Sequence, residues 1–226
     1  MLLAVETSSS IGSIALMSNG VMVAERQLGT SGPRHAQTLV PELDRLLREL
    51  GSTAESIEAI AISIGPGSFT GLRVGLTFAK TLAWLNQAPL LAIDTLQAIA
   101  QQAASAEPIV TAVCDAQRGE LFAASYELDS LSGLRHRLGD IRVHQITDLI
   151  PEHTVIGPLP AGLRERVAAS RVMASESVCM PRASTVARLG DEMLKNSRFS
   201  SPETLEPVYI RVSYAEEKRP ASPQSP

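Results

Sequence analysis

Apolar positions along this chain fall into short unbroken runs and longer runs of helical period, and the two kinds alternate. Leu2 to Thr7 and Gly12 to Ser18 are compact runs of strand length, and Asn19-Gly20 is a hairpin turn into Val21 to Leu28. The chain therefore opens as a three-strand meander. From Pro33 to Leu50 the residues Ala36, Leu39, Val40, Leu43, Leu46, Leu47 and Leu50 recur at intervals of three and four, and Gly51 ends the pattern. That spacing predicts an amphipathic helix despite Pro41. Ile57 to Ile64 then predicts a buried strand, Ser68 to Leu85 a helix, Leu90 to Ile93 a strand and Leu96 to Ala104 a helix. Strands alternating with helices extend the opening meander in parallel.

Glu107-Pro108 breaks the alternation, and the opening pattern then returns. Leu3-Ala4-Val5-Glu6 is followed by polar residues, Gly12 and Ser13-Ile14-Ala15-Leu16; Ala112-Val113-Cys114-Asp115 is followed by Gln117-Arg118, Gly119 and Leu121-Phe122-Ala123-Ala124. Each half offers strand, carboxylate, glycine turn, strand. Duplication of one α/β unit accounts for this, and so does coincidence between common units, with duplication modestly favoured. Farther on, Arg135 to Val143 and His153 to Gly157 predict strands, Ala183 to Lys195 a helix, and Val208-Tyr209-Ile210-Arg211 a last apolar element. After Tyr214 the composition turns to charge, proline and serine, which buries too little apolar surface to order the chain. The expected division is an N-terminal lobe, 1–105, a smaller second lobe, 106–214, and a disordered tail, 215–226. Helix 183–195 is a candidate to pack back on the first lobe.

Composition narrows the function. The 226 residues are 44% hydrophobic, enough for a sizeable core, and 24 acidic against 20 basic residues give a net charge of -4. No stretch concentrates Lys or Arg as a phosphate-tracking surface requires, so a role on nucleic acid needs a partner's surface. The two cysteines, Cys114 and Cys179, argue for a reducing compartment and against a disulfide framework. Glu6 interrupts the apolar start at once, which excludes a signal peptide or membrane span there and makes a cytoplasmic protein the expectation.

The richest candidate chemistry is the run Gly65-Pro66-Gly67-Ser68-Phe69-Thr70-Gly71-Leu72-Arg73-Val74-Gly75, between a predicted strand and a predicted helix. Unpaired N–H groups at a helix start favour an anion. The spacing nevertheless misses both common phosphate motifs: Thr70 stands at the last glycine of a dinucleotide fingerprint, and Leu72-Arg73 stands where a P-loop has Lys-Ser/Thr. Within the helix, Gly71, Gly75, Ala79 and Ala83 recur every fourth residue and make a ridge almost without side chains. Such a ridge admits close approach by a helix of the same chain or by another subunit. Glu6 and Asp115 end apolar strands, where actin-like ATPases hold phosphate and magnesium, and Thr7, Ser8 and Gly12 are the candidate nucleotide contacts, although Glu6 to Gly12 lacks an Asp-x-Gly core. His35, His136, His144 and His153 form no pair at metal-binding spacing, and no Gly-x-Ser-x-Gly elbow is present.

Taken together, Val5-Glu6-Thr7-Ser8, Arg34-His35 with Leu39-Val40-Pro41, the run Gly65 to Gly75, Asp115-Ala116-Gln117-Arg118-Gly119-Glu120 and Glu206-Pro207-Val208-Tyr209-Ile210-Arg211 closely resemble the bacterial TsaB (YeaZ) family across nearly the whole chain. The resemblance implies a two-lobed α/β, actin-like (ASKHA) fold, each lobe a mixed sheet flanked by helices. It further implies a non-catalytic subunit that supports the paralogue TsaD, together with the ATPase TsaE, in transferring a threonylcarbamoyl group from threonylcarbamoyl-AMP to the adenosine beside the anticodon of tRNA. On that reading this chain needs no cofactor, and ATP or ADP and metal belong to the partner subunits. Thr95 and Ile99 stand where TsaD-type proteins carry two metal-binding histidines, so the resemblance is to TsaB. It also implies pairing with TsaD, or with a second copy, through the first two helices, with Arg34, His35, Leu39, Leu43, Gly71, Leu72, Gly75, Ala79 and Ala83 as interface positions. A large residue at Gly75 or Ala79 is then expected to block the partner and spare the fold. The competing readings are a stand-alone nucleotide-dependent enzyme of the actin-like or kinase class and a metallopeptidase, the second opposed by the missing histidine pairs.

Overall fold

Two sheets, each a meander extended in parallel, by two strands in the first and one in the second, build the two lobes. In the computed structural model, which describes residues 1–29 and 35–210, β1 (Leu2–Glu6), β2 (Ser13–Ser18) and β3 (Val21–Gln27) form the opening meander. β4 (Ala59–Ser63) and β5 (Leu90–Ile93) continue it in parallel beyond β1, in the order β3-β2-β1-β4-β5. Every residue of β1 and β4 is buried. That is the reason both read as unbroken apolar runs: helices cover both faces of the sheet centre. Leu3 and Val5 of β1 face α1 (His35–Glu49) and α2 (Phe69–Asn86), whereas Leu2 and Ala4 face α5 (Ala183–Lys195). α5 comes close because Gly190 has no side chain; a Cβ there would lie 2.5 Å from the Cβ of Ala61 on β4.

α3 (Thr95–Ala100) crosses to the second lobe, where β6 (Ile109–Asp115), β7 (Leu121–Leu128) and β8 (Arg135–His144) repeat the meander. β9 (Thr154–Ile156) pairs in parallel with β6, giving the order β8-β7-β6-β9, and α4 (Ala161–Ala168) covers the outer face through Leu163 and Val167. Strands β1 to β4 thus have counterparts in β6 to β9. The correspondence continues past the fourth strand. Ile64-Gly65-Pro66 leads from β4 toward α2, and Ile156-Gly157-Pro158 leads from β9 toward α4, with φ of 114° and 155° at the two glycines. Both values lie where glycine is at ease and other residues are strained. This repeated tripeptide, together with the matching strand order, favours duplication over coincidence.

Several expected boundaries move, each for a local reason. α3 ends at Ala100 instead of Ala104, because the chain then bends around the fully buried Arg135 guanidinium. That group donates to the carbonyl oxygens of Ala104 (2.9 Å), Glu107 (2.6 Å) and Pro108 (3.5 Å). α4 went unpredicted since only Leu163 and Val167 of its eight residues are buried, one helical turn apart among polar neighbours. Val208 to Ile210 is an irregular strap with no strand partner; it is held where the Val208 N–H donates to the Ile64 carbonyl at 2.8 Å. Arg211 and the expected tail, 215–226, lie outside the described residues. Among the described residues no helix is long and apolar enough to cross a membrane.

Gly190→Leu is expected to push α5 off the first sheet and to lower stability by about 3 kcal/mol or more, the cost of overpacking a close-packed core. Urea unfolding followed by circular dichroism reads this directly.

Candidate functional site

A cleft of about 1050 Å³ lies between the lobes, and the two copies of the repeated unit line it with corresponding turns. The first lobe contributes Ser8, Ser9 and Ser10 after β1 and Pro66 to Phe69 before α2. The second contributes Asp115 to Arg118 after β6 and Pro158 to Pro160 after β9. Val208, Tyr209 and Ile210 of the strap close one side.

The turn after β1 is engaged with its surroundings. Glu6 is fully buried, and one of its carboxylate oxygens accepts both the N–H and the hydroxyl of Ser8, each at 2.5 Å. The Thr7 hydroxyl donates to the Gly71 carbonyl at 2.8 Å, the Ser8 carbonyl accepts the Ser68 N–H at 2.7 Å, and the Gly12 carbonyl accepts the Leu28 N–H at 2.8 Å. α2 therefore sits directly on this turn. A Cβ at Gly67 would lie 2.4 Å from the Ser8 carbonyl oxygen, at Gly71 2.0 Å from that of Thr7, and at Gly75 2.1 Å from the Thr7 hydroxyl. Thr7, Ser8 and Gly12, the candidate nucleotide contacts, thus lie about one turn, where the Thr7 and Ser8 hydroxyls donate within the chain and Ser8 alone of the three lines the cleft. The helix start is itself capped, since the Ser68 hydroxyl accepts the Gly71 N–H at 3.3 Å.

These contacts correct the reading of the small-residue ridge. Gly71, Gly75, Ala79 and Ala83 all face inward, onto the turn after β1 and the sheet, and Leu39, Leu43 and Leu72 are buried in the same lobe. Close approach is used by the chain's own first strand and turn, so a large residue at Gly75 strains the fold before it meets any partner. His35 begins α1, and Arg34 lies outside the described residues. What the two helices expose is a different set, which includes Val40, Pro41, Asp44 and Arg48 on α1, and Thr70, Arg73, Thr77, Thr81, Trp84 and Leu85 on α2. Val40, Trp84 and Leu85 are the large apolar side chains that these helices expose most, at 58%, 76% and 63%.

In the second lobe's turn, Gln117, Arg118 and Gly119 all have positive φ (66°, 58° and 78°), and the Asp115 carboxylate accepts the Gln117 N–H at 2.7 Å. Cys114, beneath it, is held protonated: burial, and then the negative charge of Asp115 and Asp94, pushes its thiol up and makes it a poor nucleophile. At the crossover, the Thr95 hydroxyl accepts the Gly65 N–H at 3.0 Å, and Ile99 is buried in the core between α3 and the second sheet. Thr95 and Ile99 are therefore a turn lock and a packing residue. Neighbouring Asp94 caps α3 and accepts the Tyr126 hydroxyl at 2.6 Å and Arg137 at 3.2 Å. Burial pushes its carboxyl up, against the opposing pull of Tyr126 and Arg137. Of the histidines, His153 lies 3.1 Å from the Thr111 hydroxyl and 3.3 Å from that of Ser125, while His136 and His144 are on β8.

Comparison with known proteins bears on this architecture as a whole. Residues 30–153 match the family model of TsaD, tRNA N6-adenosine threonylcarbamoyltransferase. The chain is also 30% identical to the tRNA threonylcarbamoyladenosine biosynthesis protein TsaB of Escherichia coli K12, over 97% of this chain and 98% of that one. The chain belongs to the TsaB family. The TsaB protein of Bacillus subtilis is 30% identical over 56% of this chain and 55% of its own. Among solved structures, YeaZ from Pseudomonas aeruginosa superposes with a TM-score of 0.79 at 28% identity, covering 92% of this chain and 98% of that one. The two lobes, each a mixed sheet flanked by helices, are the α/β architecture that the resemblance implied.

One group in this TsaB-family chain escaped the sequence reading. Phe69, Arg73 and Tyr209 meet at the cleft mouth, the Arg73 guanidinium 3.9 Å from the Phe69 ring centroid and its Nε donating to the Tyr209 hydroxyl at 3.0 Å. The three residues lie within quoted motifs, but only the path of the strap joins them.

Gly71→Ala is expected to cost about 3 kcal/mol, read from urea midpoints, because its neighbour is a backbone carbonyl that cannot turn aside. Tyr126→Phe removes a hydrogen bond that favours ionised Asp94, so the Asp94 carboxyl rises further, as carbon-13 NMR titration measures. Between the unfolded carboxylate value, about 3.9, and the raised folded one, the folded chain holds the extra proton. Asp94 therefore stabilises the fold at the acid end of that window, and this contribution is lost as pH rises through the folded value. The variant is expected to widen the window.

Proposed function

We propose that this chain is a non-catalytic accessory subunit in tRNA threonylcarbamoyladenosine biosynthesis, which pairs with a TsaD-type transferase and works with the ATPase TsaE. The observation that carries the reading is the crossover: Thr95 and Ile99, which the family resemblance aligns with the transferase's metal-binding histidines, are engaged in a turn lock and in core packing. A second support is the turn after β1, whose polar groups are engaged with α2 and with Glu6. The transferase then does the chemistry, on threonylcarbamoyl-AMP made by a separate enzyme. This chain contributes a surface. That surface is the exposed stripe of α1 and α2, with Val40 and Trp84 as apolar anchors, and the same stripe serves a second copy when the transferase is absent. ATP, ADP and metal are assigned to the partner subunits.

Reconstitution tests the assignment. Purified TsaD, TsaE and the adenylate-forming enzyme are expected to modify tRNA efficiently only when this chain is added. Equal modification without it would remove the accessory role. Trp84→Glu, on the exposed stripe, is expected to weaken transferase binding at least tenfold in a calorimetric titration while leaving the melting curve unchanged.

A further inference from the structure

The cluster at the cleft mouth has a property that the ridge and the stripe lack: it holds a charged group still. Arg73 is exposed on α2, yet its guanidinium is stacked over Phe69 at 3.9 Å, lies 5.9 Å from the Tyr209 ring, and donates through Nε to the Tyr209 hydroxyl at 3.0 Å. The two rings brace each other at 5.3 Å. Tyr209 is fixed in turn, because the chain before it is tied to Ile64 through the Val208 N–H and packs the half-buried Leu205 against the core of the first lobe. Among the described residues no carboxylate pairs with Arg73. The other cations of these helices differ: Arg45 and Arg48 pair with Glu42 and Asp44 of their own helix, and Lys80 lies by Glu203 of the strap.

An exposed arginine normally loses side-chain entropy when it binds, and here that loss has already been met within the chain. Its two terminal nitrogens remain for a planar, bidentate acceptor, the geometry a carboxylate presents. A nucleic-acid backbone would call for several unpaired cations in a row, and among the described residues of α1 and α2 Arg73 is the one cation without a carboxylate partner. We propose that Arg73, held by Phe69 and Tyr209, is the recognition point for a carboxylate side chain on the partner protein. The partner is the TsaD-type transferase, so the proposal rests on the function proposed above.

The test is a calorimetric titration of the full chain against the TsaD-type transferase of the same organism, with melting curves to verify the fold. Arg73→Ala is expected to weaken binding ten- to a hundredfold. Arg73→Lys is expected to lose most of that, because an ammonium lacks the fork, and Tyr209→Phe to lose a few-fold by freeing the guanidinium. Raising sodium chloride from about 50 to about 300 mM is expected to weaken the unmodified chain more than Arg73→Ala, as screening of one ion pair requires. Arg73→Ala binding within twofold of the unmodified chain would overturn the proposal and leave the pairing itself standing. Absence of binding by the unmodified chain would overturn the pairing and, with it, this contact. If Arg73→Ala leaves protein affinity unchanged and instead lowers retention of tRNA by the assembled complex, Arg73 reads a phosphate and the carboxylate assignment is wrong.

Discussion

The rest of the molecule depends on how closely α2 approaches the turn after β1. Three glycines, at 67, 71 and 75, face Ser8 and Thr7 where any Cβ would collide, and the Thr7 hydroxyl and Ser8 carbonyl bond directly to the helix and its start. Packed elements usually meet through side chains, which hold neighbouring helices about 8–10 Å apart. Here backbone meets backbone instead. The consequence is twofold. The turn that in an actin-like architecture faces the cleft is committed to internal bonds, and the outward face of α2 is set at a fixed height above the sheet. The first effect leaves the hydroxyls of that turn engaged within the chain; the second gives α2 a firm support beneath its outward face.

Duplication explains why the cleft exists at all. Each copy of the unit ends its first strand in a carboxylate and its fourth in Ile-Gly-Pro, and the four resulting turns meet between the lobes. The copies have diverged in what they do there. In the first lobe the turn after β1 is clamped by a long helix, whereas in the second the turn after β6 carries three residues of positive φ and the helix that follows β9 is the short α4. Asp94, Tyr126 and Arg137 join the lobes at the crossover with a buried, hydrogen-bonded carboxylate. Such a group costs more to separate than to keep, since breaking it leaves a charge or a hydroxyl buried without its partner.

Much of this was legible in the chain. The meander, the helix after the glycine run and the return of the pattern after Glu107-Pro108 all follow from periodicity, because fully buried strands and one-sided helices leave different traces. The motifs at Gly65 to Gly75 and Asp115 to Glu120 carried the family resemblance. Misplaced features share a cause. α3 stops at Ala100 because Arg135, distant in sequence, draws in the carbonyls beyond it, and α4 hides because two buried residues make no visible period. The ridge of Gly71, Gly75, Ala79 and Ala83 was recognised as a place for close approach, but what approaches it is the chain's own Thr7.

By itself, then, the sequence determined which segments are strands and helices, that the unit recurs, and that the chain resembles a family whose members are named for tRNA modification. These follow from local patterns: each residue's preference for water or core repeats with the period of its element, and short motifs are contiguous. Only the tertiary structure decided which face of α2 looks inward, that the polar groups of Thr7 and Ser8 are engaged within the chain, and that Arg73 is gripped by Tyr209 across 136 residues of sequence. A ridge without side chains is equally suited to an internal and an external neighbour. The choice depends on which surface has already been buried, and that is a property of the folded whole.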